Sequence, residues 1–221
     1  MCSERVPSLP IVVLISGRGS NLQSIIDAVT AGRLPVEIRA VISNRPDAQG
    51  LARARSAGIP TEVVDHRAYP DRESYDRALV EVIDRYRPAL VVLAGFMRIL
   101  TPEFVQHYRG RLLNIHPSLL PKFKGLDTHR RALEAGEREH GASVHLVTEE
   151  LDGGPVLMQA RVPVLPDDDP ERLAERVLRQ EHRLYPEVLR LFAEGRLAAD
   201  ASGRPLFEGH PLRQPLTLET A

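Results

Sequence analysis

Ile11-Val12-Val13-Leu14-Ile15-Ser16-Gly17-Arg18-Gly19-Ser20-Asn21-Leu22 carries the chain from an unbroken apolar run into a glycine-rich turn. A β-branched run without polar alternation suits a strand covered on both faces, as in a parallel sheet. After the turn, Leu22, Ile25, Ile26 and Val29 recur at helical spacing. The same alternation of strand and helix continues outward from this unit. Val36–Ser43 reads as a second strand, Ala48–Gly58 as a helix closed by glycine, and Thr61–Val64 as a short third strand. Asp71–Tyr86 is patterned as a helix that ends ahead of Pro88, and Leu90–Ala94 as a fourth buried strand. The expected fold is α/β, with a doubly wound, mainly parallel open sheet of Rossmann-like kind.

Beyond residue 110 the rhythm changes. Leu112–Ile115 is a strand, 116–127 a loop containing prolines and both lysines, and Thr128–Ala135 a helix. Two strands follow, Ser143–Val147 and Val156–Val164, then a long helix over Pro170–Gly195. An antiparallel portion is expected in this half. The tail from Ala198 is rich in glycine and proline, with one short strand near Leu206-Phe207. No linker or internal repeat divides the 221 residues, so one domain is expected. Its N-terminal half is about 10–110, its C-terminal half about 111–196, and 197–221 is a tail.

The 43% hydrophobic content fits a globular chain, and no apolar run approaches the length that spans a bilayer. Met1–Pro10 has no basic start followed by an apolar stretch, so no secretory signal is expected and a cytoplasmic location follows. Cys2 is the single cysteine and sits in an expected ragged terminus; an intrachain disulfide and a cysteine-rich metal site are ruled out. A net charge of -1 argues against nucleic acid as a partner, and an anionic small molecule would need a local basic pocket. Neither a metal nor a membrane is expected. Monomer and homodimer both stay open.

Chemistry concentrates at Leu112-Leu113-Asn114-Ile115-His116-Pro117-Ser118-Leu119-Leu120-Pro121. Asn114 and His116 are two apart, so an extended backbone presents both on one face. An amide donor beside an imidazole supplies oxyanion stabilisation and proton transfer, which acyl transfer to an amine requires. Of the eight histidines, His116 is singled out by this neighbour and by its place at a strand's C-terminal end, where ligands gather in open α/β sheets. His145 lies in an apolar strand and reads as structural, or as a support for the catalytic loop. His182 follows Glu181 on a helix and has no assigned side. Gly17–Leu22 is not the dinucleotide pattern, because Leu22 stands where the third glycine or alanine belongs. Such a turn suits a single phosphate on free helix N–H groups, or else it is an ordinary tight turn capped by serine.

These segments resemble the folate-dependent formyltransferases that act on glycinamide ribonucleotide. The resemblance takes in Val13–Leu22, Leu93–Leu100, Asn114–Pro121, Gly141–His145, Leu151–Pro155, Gln180–His182 and Tyr185-Pro186, in that order, covering roughly residues 10 to 195. It implies the formyltransferase version of the open sheet and transfer of the formyl group of 10-formyltetrahydrofolate to the ribonucleotide's amine. It implies Asn114, His116 and Asp152 as the catalytic set, with Asp152 raising the imidazole pKa by stabilising its charged form. By the same resemblance Gly19, Ser20 and Asn21 grip the ribonucleotide's phosphate, and Glu181, with Leu178, Arg179 and Gln180, meets its amino end. Met97, Arg98, Ile99 and Leu100 would form one wall of the folate site, and Thr148, Glu149, Glu150, Leu151 and Asp152 a loop over the other side. Arg72 would contact the anionic folate tail, and Asn114 also faces the folate.

Taken alone, several of these residues read otherwise. Asp152-Gly153-Gly154 is a turn signal, Glu181 an exposed helix glutamate, Arg72 a solvated helix-start arginine, and Phe96, Ile99 and Leu100 core. One departure stands in the loop: the family has proline before the glycine and histidine or similar two residues after it, where this chain has Lys124 and Asp127. Hydrolysis of formyl-folate is the rival enzymatic reading, because water could take the amine's place. A non-catalytic phosphometabolite sensor could use the glycine turn but has no need of Asn114, His116 and Asp152 together.

Overall fold

Along β1 (Leu9–Ile15) successive side chains enter two different cores. Ile11, Val13 and Ile15 pack with Leu22 and Ile25 of α1 (Ser20–Thr30), Leu51 of α2 (Gln49–Ser56) and Val177 and Leu184 of α6 (Pro170–Ala193). Val12 and Leu14 turn the other way, against Tyr75, Leu79 and Ile83 of α3 (Arg72–Arg85) and Phe104 of α4 (Pro102–His107). All five residues from Ile11 to Ile15 are wholly buried, which is why the run carries no polar alternation. The computed structural model describes residues 7–219. Cys2 with the expected ragged N-terminus, and the last two residues of the expected tail, lie outside the described residues.

The main sheet has eight strands in the order β11-β7-β6-β5-β4-β1-β2-β3. β2 (Val36–Ser43), β3 (Thr61–Val63), β4 (Leu90–Leu93) and β5 (Leu112–His116) run parallel to β1. β6 (Glu139–Leu146) and β7 (Val156–Pro163) continue as antiparallel neighbours, the antiparallel portion expected of the C-terminal half. The fold is thus the doubly wound α/β sheet, mainly parallel, that the sequence predicts. α5 (Thr128–Glu134) and α6 cover one face with α1 and α2.

Three features differ from the sequence reading. A short helix, α4, had no predicted counterpart, although Thr101-Pro102 is a start signal: the Thr101 hydroxyl accepts from Phe104 N–H and Pro102 occupies the first turn. β6 begins at Glu139, four residues before the predicted Ser143, because Glu139–Ala142 pair with β7. The tail holds three strands besides the expected one near Leu206-Phe207. β8 (Leu197–Ala199), β9 (Pro205–Phe207) and β10 (His210–Pro211) form a separate antiparallel sheet, and β11 (Leu216–Thr217) adds a parallel edge to β7. Strands of two or three residues lack the length for a readable period. α6 runs through Pro186, which removes one backbone donor. Next to it, the buried Tyr185 hydroxyl donates to the Leu93 carbonyl at 2.7 Å and pins the helix to the end of β4.

Candidate active site

β1 lies between β4 and β2, so the chain winds outward in both directions from this strand, and ligands in such sheets bind beyond the carboxyl ends. Leu14 pairs with Leu93, and Leu93 with Asn114. The glycine turn after β1, the 94–100 segment after β4 and the His116 loop after β5 therefore leave the sheet side by side.

In the turn, Gly19 occupies the cap position of α1 in the left-handed region (φ 73°), and no side chain caps the helix. The serine-cap reading is thereby set aside, and the first-turn N–H groups are left to an anion. Glycine is required here by more than φ: a Cβ on Gly19 would stand 2.7 Å from Gly50 Cα. Asn21, in the first turn of α1, donates through Nδ2 to Glu181 Oε1 at 3.3 Å across 160 residues of sequence. Glu181 is 8% exposed, and burial pushes its carboxyl pKa up, only partly offset by that hydrogen bond. The Asn21 Oδ1 atom is buried without a partner. Two acceptors in a dry site suit a donor-rich group such as an amine.

Asn114 pairs directly with His145 across the β5–β6 ladder. His145 Nδ1 donates to the Leu146 carbonyl at 3.0 Å, and burial holds its pKa below that of a free imidazole. The neutral ring therefore turns a lone pair toward Asn114, whose Nδ2 donates to Nε2 at 3.4 Å. That contact sets which end of the Asn114 amide is which and leaves its second N–H unused by His145.

His116 is 6% exposed, and its Nε2 donates to the Phe123 carbonyl at 2.8 Å. Its Nδ1 faces Asp152 Oδ2 at 3.5 Å, so a proton on Nδ1 gives both ring nitrogens an acceptor. Asp152 Oδ2 also accepts Gly125 N–H at 2.9 Å, and its Oδ1 lies 3.8 Å from His145 Nε2. Asp152 itself has φ 51°, a left-handed conformation that aspartate tolerates better than most residues.

Beside this cluster runs a cleft lined by Leu93, Phe96, Val105 and Val147, with Arg98, Ile99 and Leu100 on one side and Thr148–Asp152 on the other. Asn114 and His145 line it as well. Two buried side chains hold the first wall in place. Ser16 Oγ accepts Met97 N–H at 2.8 Å and donates to Asn44 Oδ1 at 2.6 Å. The loop after His116 also reaches the second wall: Lys124 Nζ lies 2.7 Å from Glu150 Oε1. Asp127 takes a left-handed conformation ahead of α5, and Arg131 Nη1 donates to the Lys124 and Leu126 carbonyls. The two residues that depart from the family pattern thus sit in a closed, internally bonded loop.

Residues 9–189 match the formyl transferase family. The chain belongs to that family. It is 61% identical over 187 residues to the phosphoribosylglycinamide formyltransferase of Escherichia coli, covering 85% of this chain and 88% of the relative. A solved phosphoribosylglycinamide formyltransferase of Coxiella burnetii superposes with a TM-score of 0.91 at 54% identity, over 96% of this chain and all of that one. The glycinamide ribonucleotide transformylase 1 of Symbiobacterium toebii gives 0.86 at 48% identity, over 90% and 94%.

Of the residues that the formyltransferase resemblance nominated, the structure brings together Asn114, His116 and Asp152, joins Asn21 to Glu181, and sets Arg98–Leu100 opposite Thr148–Asp152. Gly19, Ser20 and Asn21 stand at the uncapped helix start. Others lie apart. Met97 is 70% exposed and enters through its backbone N–H alone. Arg72 is exposed at the first residue of α3 and does not line the cleft. On α6, Arg179 is exposed, Leu178 is half-buried, and the Gln180 side-chain oxygen is taken by Arg183. The sequence reading missed Ser16 and Asn44, and it named His145 as structural or a loop support without pairing it with Asn114. Only the β5–β6 register places His145 opposite Asn114, and no local pattern encodes that. Among the described residues, no group of histidine, cysteine and carboxylate side chains converges as a metal site, and no helix is long and apolar enough to cross a membrane.

Proposed function

We propose that the chain transfers the formyl group of 10-formyltetrahydrofolate to the amine of glycinamide ribonucleotide in purine biosynthesis, with Asn114, His116 and Asp152 as its catalytic residues. The observation that carries the assignment of roles is that Asn114 and Asp152 both line the cleft while His116, at the end of β5, faces Asp152 from behind it at 3.5 Å. The cleft takes the folate between Arg98–Leu100 and Thr148–Asp152. Gly19, Ser20 and Asn21 take the phosphate on free N–H groups. Asn21 Oδ1 and Glu181 accept hydrogen bonds from the amino end of the ribonucleotide.

The nucleophilic amine attacks the formyl carbon, and the carbonyl electron pair moves onto oxygen. The free N–H of Asn114 and the Nδ1–H of protonated His116, whose Nε2–H stays on the Phe123 carbonyl, donate to that oxyanion. Asp152, 3.5 Å away, balances the imidazolium charge without holding that proton. As the tetrahedral adduct collapses, the bond from carbon to the folate nitrogen breaks, that nitrogen takes a proton from His116, and the amine's surplus proton restores the imidazolium. Hydrolysis would leave the Asn21–Glu181 acceptors without a purpose.

The same reading treats the chain as one domain, its N-terminal half holding phosphate and its C-terminal half holding folate and catalysis. It expects a cytoplasmic enzyme, monomeric or homodimeric, with no nucleic-acid partner. The test is purified protein with formyl-folate, followed at the folate absorbance with and without glycinamide ribonucleotide. Turnover only with the ribonucleotide is expected; equal turnover without it would assign hydrolysis instead.

A further inference from the structure

The glycine turn after β1 is held from behind by α2. Gly50 N–H donates to the Gly17 carbonyl at 3.0 Å, and Arg53 Nε donates to the Arg18 carbonyl at 2.8 Å. In a trans peptide unit the N–H points opposite to the C=O. With both carbonyls bonded to α2, the Arg18 and Gly19 N–H groups are turned away from those two bonds and left free of them. Nothing bulkier than glycine fits at the contact. A Cβ on Gly50 would stand 2.5 Å from Ile15 Cδ1, and one on Gly19 would stand 2.7 Å from Gly50 Cα.

Arg53 adds something that the backbone grip does not need. Its side chain lies along the turn, with Cδ 3.5 Å from where a Gly19 Cβ would be, and its Nη1 reaches Gln23 Oε1 of α1 at 3.4 Å. Among the described residues it forms no ion pair, although eighteen such pairs join other side chains. Its charge is felt on α6: burial first, and then Arg53, lower the pKa of His182, the neighbour of Glu181. A half-buried cation without a counter-ion therefore sits among the turn, α1 and the Asn21–Glu181 end of α6.

We infer that Arg53 supplies the positive charge of the ribonucleotide's phosphate site while its Nε–H holds the turn in its anion-binding shape. The inference rests on the reading of Gly19, Ser20 and Asn21 as the phosphate grip and adds a residue from a different element. A guanidinium suits both tasks, because its planar fork donates through Nε to the carbonyl and keeps other N–H groups for the anion.

The test is steady-state kinetics of Arg53→Met and Arg53→Lys, with inorganic phosphate as a competitor of the ribonucleotide. Loss of a hydrogen bond to a charged group predicts a ribonucleotide KM raised by about tenfold to a hundredfold in Arg53→Met. The inhibition constant of inorganic phosphate should rise with it, while the formyl-folate KM stays within about twofold. Arg53→Lys keeps the charge but not the fork and should fall between. Unchanged ribonucleotide KM and phosphate inhibition in Arg53→Met would overturn the inference. So would an equal rise of both KM values with a fall in Tm, which marks a structural prop. If inorganic phosphate does not compete with the ribonucleotide in the unaltered protein, the phosphate reading of the turn itself fails, and Arg53 with it.

Discussion

Glu181→Gln should make the protein more stable and a poorer enzyme. The carboxylate is 8% exposed, and Asn21 Nδ2 is its hydrogen-bond donor, at 3.3 Å. Burial raises its pKa, so the charged form is disfavoured in the fold. In the unfolded chain a glutamate ionises near pH ~4.3. Between that pH and the higher folded-state pKa, the unfolded state has released a proton that the folded state keeps, so stability falls as pH rises. Above the folded pKa the full cost of a desolvated carboxylate is present. A neutral amide of the same shape removes that cost, which for a buried under-bonded group is about 1–3 kcal/mol. For a chain of this size each kcal/mol moves Tm by roughly 2–4 °C. Thermal melts at about pH 4 and pH 8 are therefore expected to show little difference at the lower value and a gain of roughly 2–12 °C for Glu181→Gln at the higher. The ribonucleotide KM should rise about tenfold or more, since an amine loses a charged acceptor. Saturating ribonucleotide should narrow the gap in Tm by stabilising the unaltered protein more. A variant that melts no higher than the parent at pH 8 would refute the reasoning, because the site would then not be holding an uncompensated carboxyl group.

The other expected outcomes concern the loops at the carboxyl ends of β5 and β1. His116→Ala and Asn114→Ala should each lower kcat/KM by about two orders of magnitude or more, the scale of losing an acid or an oxyanion donor, with far-ultraviolet dichroism unchanged; near-normal turnover in His116→Ala would end the proposed mechanism. Asp152→Asn keeps size and suits the left-handed φ of 51°. Its kcat/KM should drop about tenfold or more while Tm moves little, whereas a large fall in Tm with intact turnover would assign Asp152 to the turn. Gly19→Val forces a side chain against the Gly50 backbone, and isothermal titration should show weakened ribonucleotide binding with formyl-folate binding kept; equal loss of both would count against a phosphate role for the turn.

Much of the molecule was legible as sequence because it rests on local rules. Ile11–Ile15 had to be covered on both faces, and two cores do cover it. The spacing of Asn114 and His116 put them on one side of a strand end, and β5 ends there. What escaped was short or distant. β8, β10 and β11 have three, two and two residues, too few to show a period, and Pro102–His107 is a single capped turn and a half.

The sequence by itself determined the strand–helix alternation, the turn that only glycine can make, and the side chains proposed to catalyse formyl transfer. Those follow from backbone stereochemistry and from residue type, which are properties of a few adjacent positions. Tertiary structure decided who meets whom. Asn21 finds Glu181 across 160 positions, His145 comes opposite Asn114 through an antiparallel register, and α2 closes on the glycine turn through Gly50 and Arg53. It also turned an ordinary helix glutamate into a desolvated acid and left Arg72 exposed outside the cleft. Burial and charge compensation are sums over neighbours from separate elements, so they come into being only when the sheet is assembled.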